Sequence, residues 1–354
     1  MSQTMRAVRL HPAPGGGAEL RLDHDVPVPR PGSDQVLLAV RACGLNQVDL
    51  LTRDGQTPAA IPLPHISGTE VAGEIAETGP GVTRWKAGDR VVVDPILACG
   101  ECASCRLGHT NMCRTGRVFG VQTHGGYAEY VVAPAHQILP LPDSLDFAQA
   151  AAVAVTGPTA WHMLRRRADI RIGEDVLVIA GGSGIGVLGM QIAALAGARV
   201  IATVGSEDKM RQAQALGAQL VVNHRDPGWA DQVRDFTGGR GVDVVFEHVG
   251  AATWQDSLKA LARGGRLVTC GGHSGFQVDI NLWHLFVKEH TLIGSFAGSR
   301  QDFLDVLRLA EQGRIRQVVQ QTFALDQVPQ AQAMLEGRQV FGKLLLDPTL
   351  PLSH

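Results

Sequence analysis

The most restrictive feature of the sequence is a break in an apolar run. Val176-Leu-Val-Ile179 passes directly into Ala180-Gly-Gly-Ser-Gly-Ile-Gly186, and the chain continues as the helix-periodic segment Val187–Ala196. In a strand-turn-helix unit such glycines let the backbone bend tightly and approach a pyrophosphate, whose charge rests on the helix N-terminus. This makes Gly181, Ser183, Gly184, Ile185 and Gly186 candidate cofactor contacts. The plainer alternative, an ordinary tight turn, fits less well because the motif opens a longer alternation. Further apolar runs at Val200–Val204, Leu220–Val222, Val242–Phe246 and Leu267–Thr269 alternate with helix-length segments, and Leu292–Ser295 is one more strand candidate. The rhythm predicts a parallel, doubly wound α/β domain from about residue 157.

The first 155 residues or so read differently. Short β-rich runs (Val36–Val40, Arg90–Val93, Tyr127–Val132) are separated by Pro and Gly clusters, which predicts an irregular barrel or sandwich. The tail offers helices near Asp302–Glu311 and Val328–Glu336, then a strand at Lys343–Leu346 that is expected to return to the first domain.

The second strand of the α/β pattern ends Ile201-Ala-Thr-Val-Gly-Ser206 with no carboxylate at the point where NAD-preferring domains hold the ribose hydroxyls. Ser206, Lys209 and Arg225 are candidates to hold a 2′-phosphate instead, so NADPH is favoured over NADH. The alternative for Lys209 is a solvated helix-face lysine.

Of six cysteines, Cys99, Cys102, Cys105 and Cys113 fall within fifteen positions, while Cys43 and Cys270 stand alone and are read as small buried hydrophobes. Two Cys-x-x-Cys steps let a short loop wrap one ion tetrahedrally. A closed site of four thiolates leaves no coordination position for substrate, so one structural zinc is expected. A chain of 354 residues with 45% hydrophobic side chains can build a large core and needs no disulfide staples. With 32 basic against 34 acidic side chains the net charge is -2, which gives no footprint for nucleic acid or an anionic membrane. No apolar stretch reaches the length of a membrane span, and Met1–Leu10 lacks a signal-peptide core, so a soluble, cytoplasmic protein is expected.

Together these motifs resemble the medium-chain dehydrogenase/reductase superfamily, the zinc alcohol dehydrogenase and quinone oxidoreductase relatives. The likeness covers nearly the whole chain: Gly68-Thr-Glu-Val-Ala-Gly73, Gly88-Asp-Arg-Val91, the cysteine lobe with Gly108 and Asn111, Thr156-Gly-Pro-Thr-Ala-Trp161, the glycine-rich turn, and Gly342-Lys343. It implies an α/β protein with a GroES-like β-rich catalytic domain (1–156), a Rossmann dinucleotide-binding domain (157–293) and a C-terminal segment (294–354) that completes the first. It also implies Val249, Cys270, Gly271 and Lys343 as further cofactor contacts, a small-molecule substrate, and assembly as a homodimer or homotetramer.

Zinc-dependent members bind a catalytic zinc through three residues that fall here on Asn46, Thr69 and Val155, and a relay hydroxyl and histidine fall on Val48 and Leu51. All of those groups are missing, although Asp49 and Glu70 remain. Asn46, like Ser183 in the glycine-rich turn, resembles the quinone oxidoreductase and enone or enoyl-thioester reductase branches. Without a Lewis acid, hydride addition to a conjugated acceptor is easier than reduction of an isolated carbonyl, because the charge delocalises onto an enolate or quinol oxygen. Asn46 and Thr159 are the candidate catalytic donors to that oxygen. Asn46 tying down its own loop is the plain alternative. Asp49 and Arg53 are expected to form an i,i+4 ion pair, and His273 is read as either a loop histidine or an acid. Two other functions stay open: a zinc-type alcohol dehydrogenase using unusual ligands such as His65 and Glu70, and a noncatalytic dinucleotide-binding redox sensor.

Overall fold

The computed structural model describes residues 3–57 and 61–353. The chain divides into two compact units: Met1–Val155 with Ser299–His354, and Thr156–Gly298. The second unit begins one residue before and ends five residues after the expected 157–293. Its end is set by packing, since a Cβ on Gly298 would stand 2.5 Å from the Pro158 carbonyl oxygen.

The first unit opens with a hairpin, β1 (Thr4–Pro12) against β2 (Ala18–Pro27). Then follow β3 (Gln35–Gly44), β4 (Glu70–Thr78), β5 (Arg90–Val93), β6 (Ile96–Leu97), β7 (Arg117–Val118), β8 (Tyr130–Pro134) and β9 (Ile138–Pro140). β8 starts three residues later than the apolar run at Tyr127, because Tyr127 is fully buried and its backbone bonds Ser67 and Val8 outside the main sheet.

The second unit holds β10 (Asp175–Val178), β11 (Arg199–Val204), β12 (Leu220–Asn223), β13 (Val242–Glu247), β14 (Leu261–Thr269) and β15 (Thr291–Gly294), all parallel, in the order β12-β11-β10-β13-β14-β15. Sequence order reverses between β10 and β13, the switch point where ligands of doubly wound sheets sit beyond the strand C-termini. β10, β11 and β13 are buried along nearly their whole length, which explains their unbroken apolar runs, whereas the edge strand β15 is partly exposed. Leu177, Ile201, Val222, Val245 and Leu267 share one core on this sheet.

The tail returns to the first unit. β16 (Val319–Phe323) and β17 (Lys343–Leu346) extend its sheet to the order β16-β17-β3-β4-β5-β9, with β8 also on β3. β17 runs antiparallel to the end of β3, pairing Leu345 with Gly44. Its side chains join the core formed by Leu38, Val40, Val71, Phe119 and Tyr127. No described helix is long and apolar enough to cross a membrane.

Candidate functional site

In the first unit, β3 ends at Gly44 and the chain enters the helix Gln47–Arg53 through Leu45 and Asn46. Gly44 makes room for the first residue of β4, since a Cβ there would lie 2.0 Å from Glu70 Oε2. Into this corner β17 brings Lys343. Its ammonium pairs with Glu70 Oε2 at 2.6 Å and donates to the Leu45 carbonyl at 2.5 Å and to Asn46 Oδ1 at 2.8 Å. The two side chains are 3% and 0% exposed, so each charge depends on the other and on these hydrogen bonds. The second Glu70 oxygen accepts the backbone N–H of Val155 at 2.9 Å.

Asn46 Nδ2 donates to Thr69 Oγ1 at 3.1 Å, and the Asn46 backbone N–H donates to Asp49 Oδ2 at 2.8 Å. Burial pushes the Asp49 carboxyl up to about 6, against the pull of that backbone hydrogen bond. Burial, reinforced by the Asp49 charge, raises the Tyr127 phenol well above its ordinary range. Asn46, Thr69 and Val155, on which the resemblance places zinc ligands, bear an amide, a hydroxyl and an isopropyl group. That donor set does not fit a zinc ion.

One expectation is corrected in this unit. Asp49 and Arg53 form no pair: Arg53 turns to Asp54 at 2.7 Å and Glu336 at 3.5 Å, while Asp49 faces inward. Lys343, which the resemblance implies as a cofactor contact, donates to Leu45 and Asn46 and pairs its charge with Glu70. His65 donates to the Gly120 carbonyl at 3.1 Å and lies 5.5 Å from the ring of His124.

The sulfurs of Cys99, Cys102, Cys105 and Cys113 lie within 4.8 Å of one another, and Cys99 and Cys105 are 4.0 Å apart. Thiolates around one tetrahedral zinc, at about 2.3 Å each, stand roughly 3.8 Å apart, so the four residues fit the ion. Backbone N–H groups of Cys99 and Cys102 already point at the sulfurs of Cys113 and Cys99, at 3.3 and 3.4 Å. The short ladder of β6 with β7 closes the lobe.

In the second unit the glycine-rich turn joins β10 to the helix Gly184–Leu195. Ser183 caps that helix, its Oγ accepting the Gly186 N–H at 3.0 Å. Gly181 and Gly186 are buried, whereas Ser183, Gly184 and Ile185 stay partly exposed at the mouth of the turn. A Cβ on Gly186 would stand 2.4 Å from the Ala180 carbonyl oxygen. Only glycine permits this turn.

The Ser183 hydroxyl also shares a hydrogen bond of 2.9 Å with His248 Nε2. Complete burial drives the His248 imidazole down to about 3, which keeps it neutral, and its Nδ1 has no hydrogen-bond partner. A buried, unpartnered ring nitrogen beside a glycine cradle fits a bound dinucleotide. Sequence reasoning missed His248, since nothing in its neighbours pairs it with Ser183, 65 residues away. The loop carrying it and Val249 is tied by Glu247, whose carboxylate accepts from the Val249 and Gly250 N–H groups and from the Thr253 and Ser257 hydroxyls.

Beyond β14, a Cβ on Gly271 would lie 3.0 Å from the His248 carbonyl oxygen, so Cys270 and Gly271 close the same loop cluster. Cys270 is partly exposed rather than a core residue, and burial together with the Glu247 charge pushes its thiol up to about 12. His273 is exposed. At the end of β11, Ser206 caps the helix Glu207–Ala215, and Lys209 is pulled down by partial burial and by Arg225. Arg225 Nε stands 3.4 Å from where a Cβ on Gly205 would be. Two cations thus flank the strand end where an acidic residue was missing. Thr159 is buried on the helix Thr156–Trp161.

Comparison with known proteins agrees with this arrangement. Residues 32–143 match the alcohol dehydrogenase GroES-like domain family and residues 184–312 the zinc-binding dehydrogenase family. The chain is 34% identical over 353 residues to an NAD-dependent alcohol dehydrogenase of Sulfolobus acidocaldarius, covering 98% of this chain and 100% of that one. It is 30% identical to the human quinone oxidoreductase, with 97% of each chain covered. A solved structure described as an NAD-dependent alcohol dehydrogenase superposes with a TM-score of 0.91 at 42% identity, covering 97% of this chain and 99% of that one. The chain belongs to the medium-chain dehydrogenase/reductase superfamily and is one of its NAD(P)-dependent oxidoreductases.

Proposed function

We propose that the protein reduces conjugated acceptors (enones, enoyl thioesters or quinones) with NADPH, holds one structural zinc on Cys99, Cys102, Cys105 and Cys113, and uses no catalytic zinc. The observation that carries this reading is the corner of the first unit, where Asn46 and Thr69 join through an amide-to-hydroxyl bond of 3.1 Å and a buried ammonium lies 2.8 Å from Asn46 Oδ1. Such a corner donates hydrogen bonds and holds no Lewis acid.

When bound, the dihydronicotinamide supplies a hydride. The glycine-rich turn, the Ser183–His248 pair and the Val249 and Cys270–Gly271 loops orient it, and Lys209, Arg225 and Ser206 select the 2′-phosphate. Asn46 Nδ2 donates to the oxygen on which charge develops, a neutral stabilisation worth around a hundredfold in rate. Thr159 is a second candidate donor, to be judged by its own alanine variant. The human relative's quinone chemistry favours this reading. The alcohol dehydrogenase names among the relatives favour alcohol oxidation, and a catalytic metal would be needed for it.

In the second unit β15 ends the sheet as an unpaired edge, and beside it Leu282, Trp283 and Phe286 are more than 60% exposed. An edge of this kind supports assembly as a homo-oligomer, which light scattering on the purified protein checks.

The deciding experiment combines elemental analysis with an activity panel. We expect close to one zinc per chain, NADPH oxidation with 2-cyclohexenone or 1,4-naphthoquinone, and negligible oxidation of simple alcohols. Two tightly held zincs with robust alcohol oxidation would reverse the assignment.

A further inference from the structure

We propose that Lys343 is the positioning residue for Asn46: its ammonium fixes which end of the Asn46 amide is presented as donor and places positive charge behind it. This rests on the reading of Asn46 as the oxyanion donor.

A side-chain amide has nearly the same shape when turned by 180°, but the turn exchanges two donors for an acceptor. An ammonium carries three donors and no acceptor. At 2.8 Å from Lys343 Nζ the amide must therefore present Oδ1, and Nδ2 is sent to the opposite side. There one N–H goes to Thr69 Oγ1 at 3.1 Å, and the second is left to give. Thr69, accepting here, keeps its own hydroxyl proton to donate as well.

The ammonium has no freedom of its own. It donates to the Leu45 carbonyl and Asn46 Oδ1 and pairs its charge with Glu70 Oε2, Glu70 is anchored by the Val155 N–H, and Gly44 leaves space for that carboxylate. A cation on Oδ1 also draws density from the amide and makes Nδ2–H a stronger donor. A buried ion pair seldom adds stability over apolar side chains of the same volume. The Lys343–Glu70 pair has a reason to exist if it aims Asn46. In effect, a buried cation one bond removed from substrate replaces a metal that would touch it.

The chain has four asparagines, Asn46, Asn111, Asn223 and Asn281, so selective 15N-asparagine labelling gives four side-chain amide pairs, and Asn46→Ala identifies one. In the unaltered protein a nuclear Overhauser contact from an Asn46 Nδ2 proton to the Thr69 methyl is expected. Contacts of these protons with the Lys343 methylenes instead would overturn the proposal. Lys343→Met should move the Asn46 resonances and lower kcat for 2-cyclohexenone or 1,4-naphthoquinone about tenfold to a hundredfold, with the KM for NADPH within about twofold. Lys343→Arg should recover part of the loss. Wild-type kcat with unmoved Asn46 resonances in Lys343→Met would sink the idea. If that variant does not fold, Lys343→Met/Glu70→Gln removes both buried charges and carries the same readouts. Should Asn46→Ala leave kcat unchanged while Lys343→Met still moves the Asn46 resonances, the oxyanion reading fails and the positioning stands.

Discussion

The two units each bury a glutamate beside their functional residues and satisfy it by opposite means. Glu70 in the first unit takes one backbone N–H and the Lys343 ammonium. Glu247 in the second takes two backbone N–H groups and two hydroxyls. The first solution leaves a fixed positive charge next to an amide donor, which suits a place where negative charge develops. The second leaves a neutral, shaped cradle with His248 uncharged, which suits binding of a group whose charge is already met by a helix N-terminus. Chemistry and cofactor binding should therefore fail separately when each is damaged.

The sharpest separation is expected from two substitutions. Gly186→Val drives a side chain into the Ala180 carbonyl, 2.4 Å from the Cβ position. It should cost about 1–3 kcal/mol of stability and abolish NADPH binding by calorimetry, while the zinc content of the first unit stays the same. Asn46→Ala should do the reverse: kcat falls about a hundredfold and the calorimetric Kd for NADPH is unmoved. A shared loss of both properties in either variant would break the comparison.

The second unit was far more legible in the sequence than the first. Its inner strands are buried on both faces and wrote themselves as contiguous apolar runs, and the observed β10 to β15 lie within a few residues of the runs read from the sequence, β14 alone starting earlier at Leu261. The glycine-rich turn is local in sequence and was readable for the same reason. The first unit's site was visible only through resemblance at Asn46, Thr69 and Val155. Lys343 lies 297 residues from Asn46, and no local pattern announces that contact. The Asp49–Arg53 spacing misled because a seven-residue helix with one buried face turns Asp49 inward, where pairing at i,i+4 on a solvated surface does not apply. His248 was overlooked because a neutral buried histidine leaves no mark in composition or charge.

Cofactor choice tests the cradle at its outer end. Lys209→Ala should weaken NADPH binding about tenfold to a hundredfold, as expected for a charge-assisted contact to phosphate of about 1.5–3 kcal/mol, and leave NADH within about twofold. Equal losses for both cofactors would place Lys209 on the helix surface and leave the strand end at Ser206 without a discriminating role.

The smallest effect separates the units by pH. His248 is a base whose folded value, about 3, lies below the ordinary 6.5, so the unfolded chain binds more protons between those values and stability is lost as pH falls through that window. Asp49 is an acid raised from 3.8 to about 6; there the folded chain binds more protons, and stability rises as pH falls through about 6. Asp94, also in the first unit and likewise raised to about 6 by burial, acts in the same direction as Asp49. Between pH 7 and pH 5 the contributions of His248 and Asp49 are each about 1–2 kcal/mol and opposed. His65 and His124, lowered by burial in the first unit, act in the direction of His248, so the thermal midpoint of the unaltered protein carries opposed contributions over this range. In His248→Gln the largest opposing contribution is removed, and the midpoint should rise relative to that of the unaltered protein on going from pH 7 to pH 5. In Asp49→Asn one of the two acid contributions is removed, and the midpoint should fall relative to that of the unaltered protein over the same interval. Calorimetric scans at the two pH values decide it: parallel shifts in both variants would mean that the two groups do not titrate in opposite senses, and the picture of a charged half and a neutral half would lose its electrostatic basis.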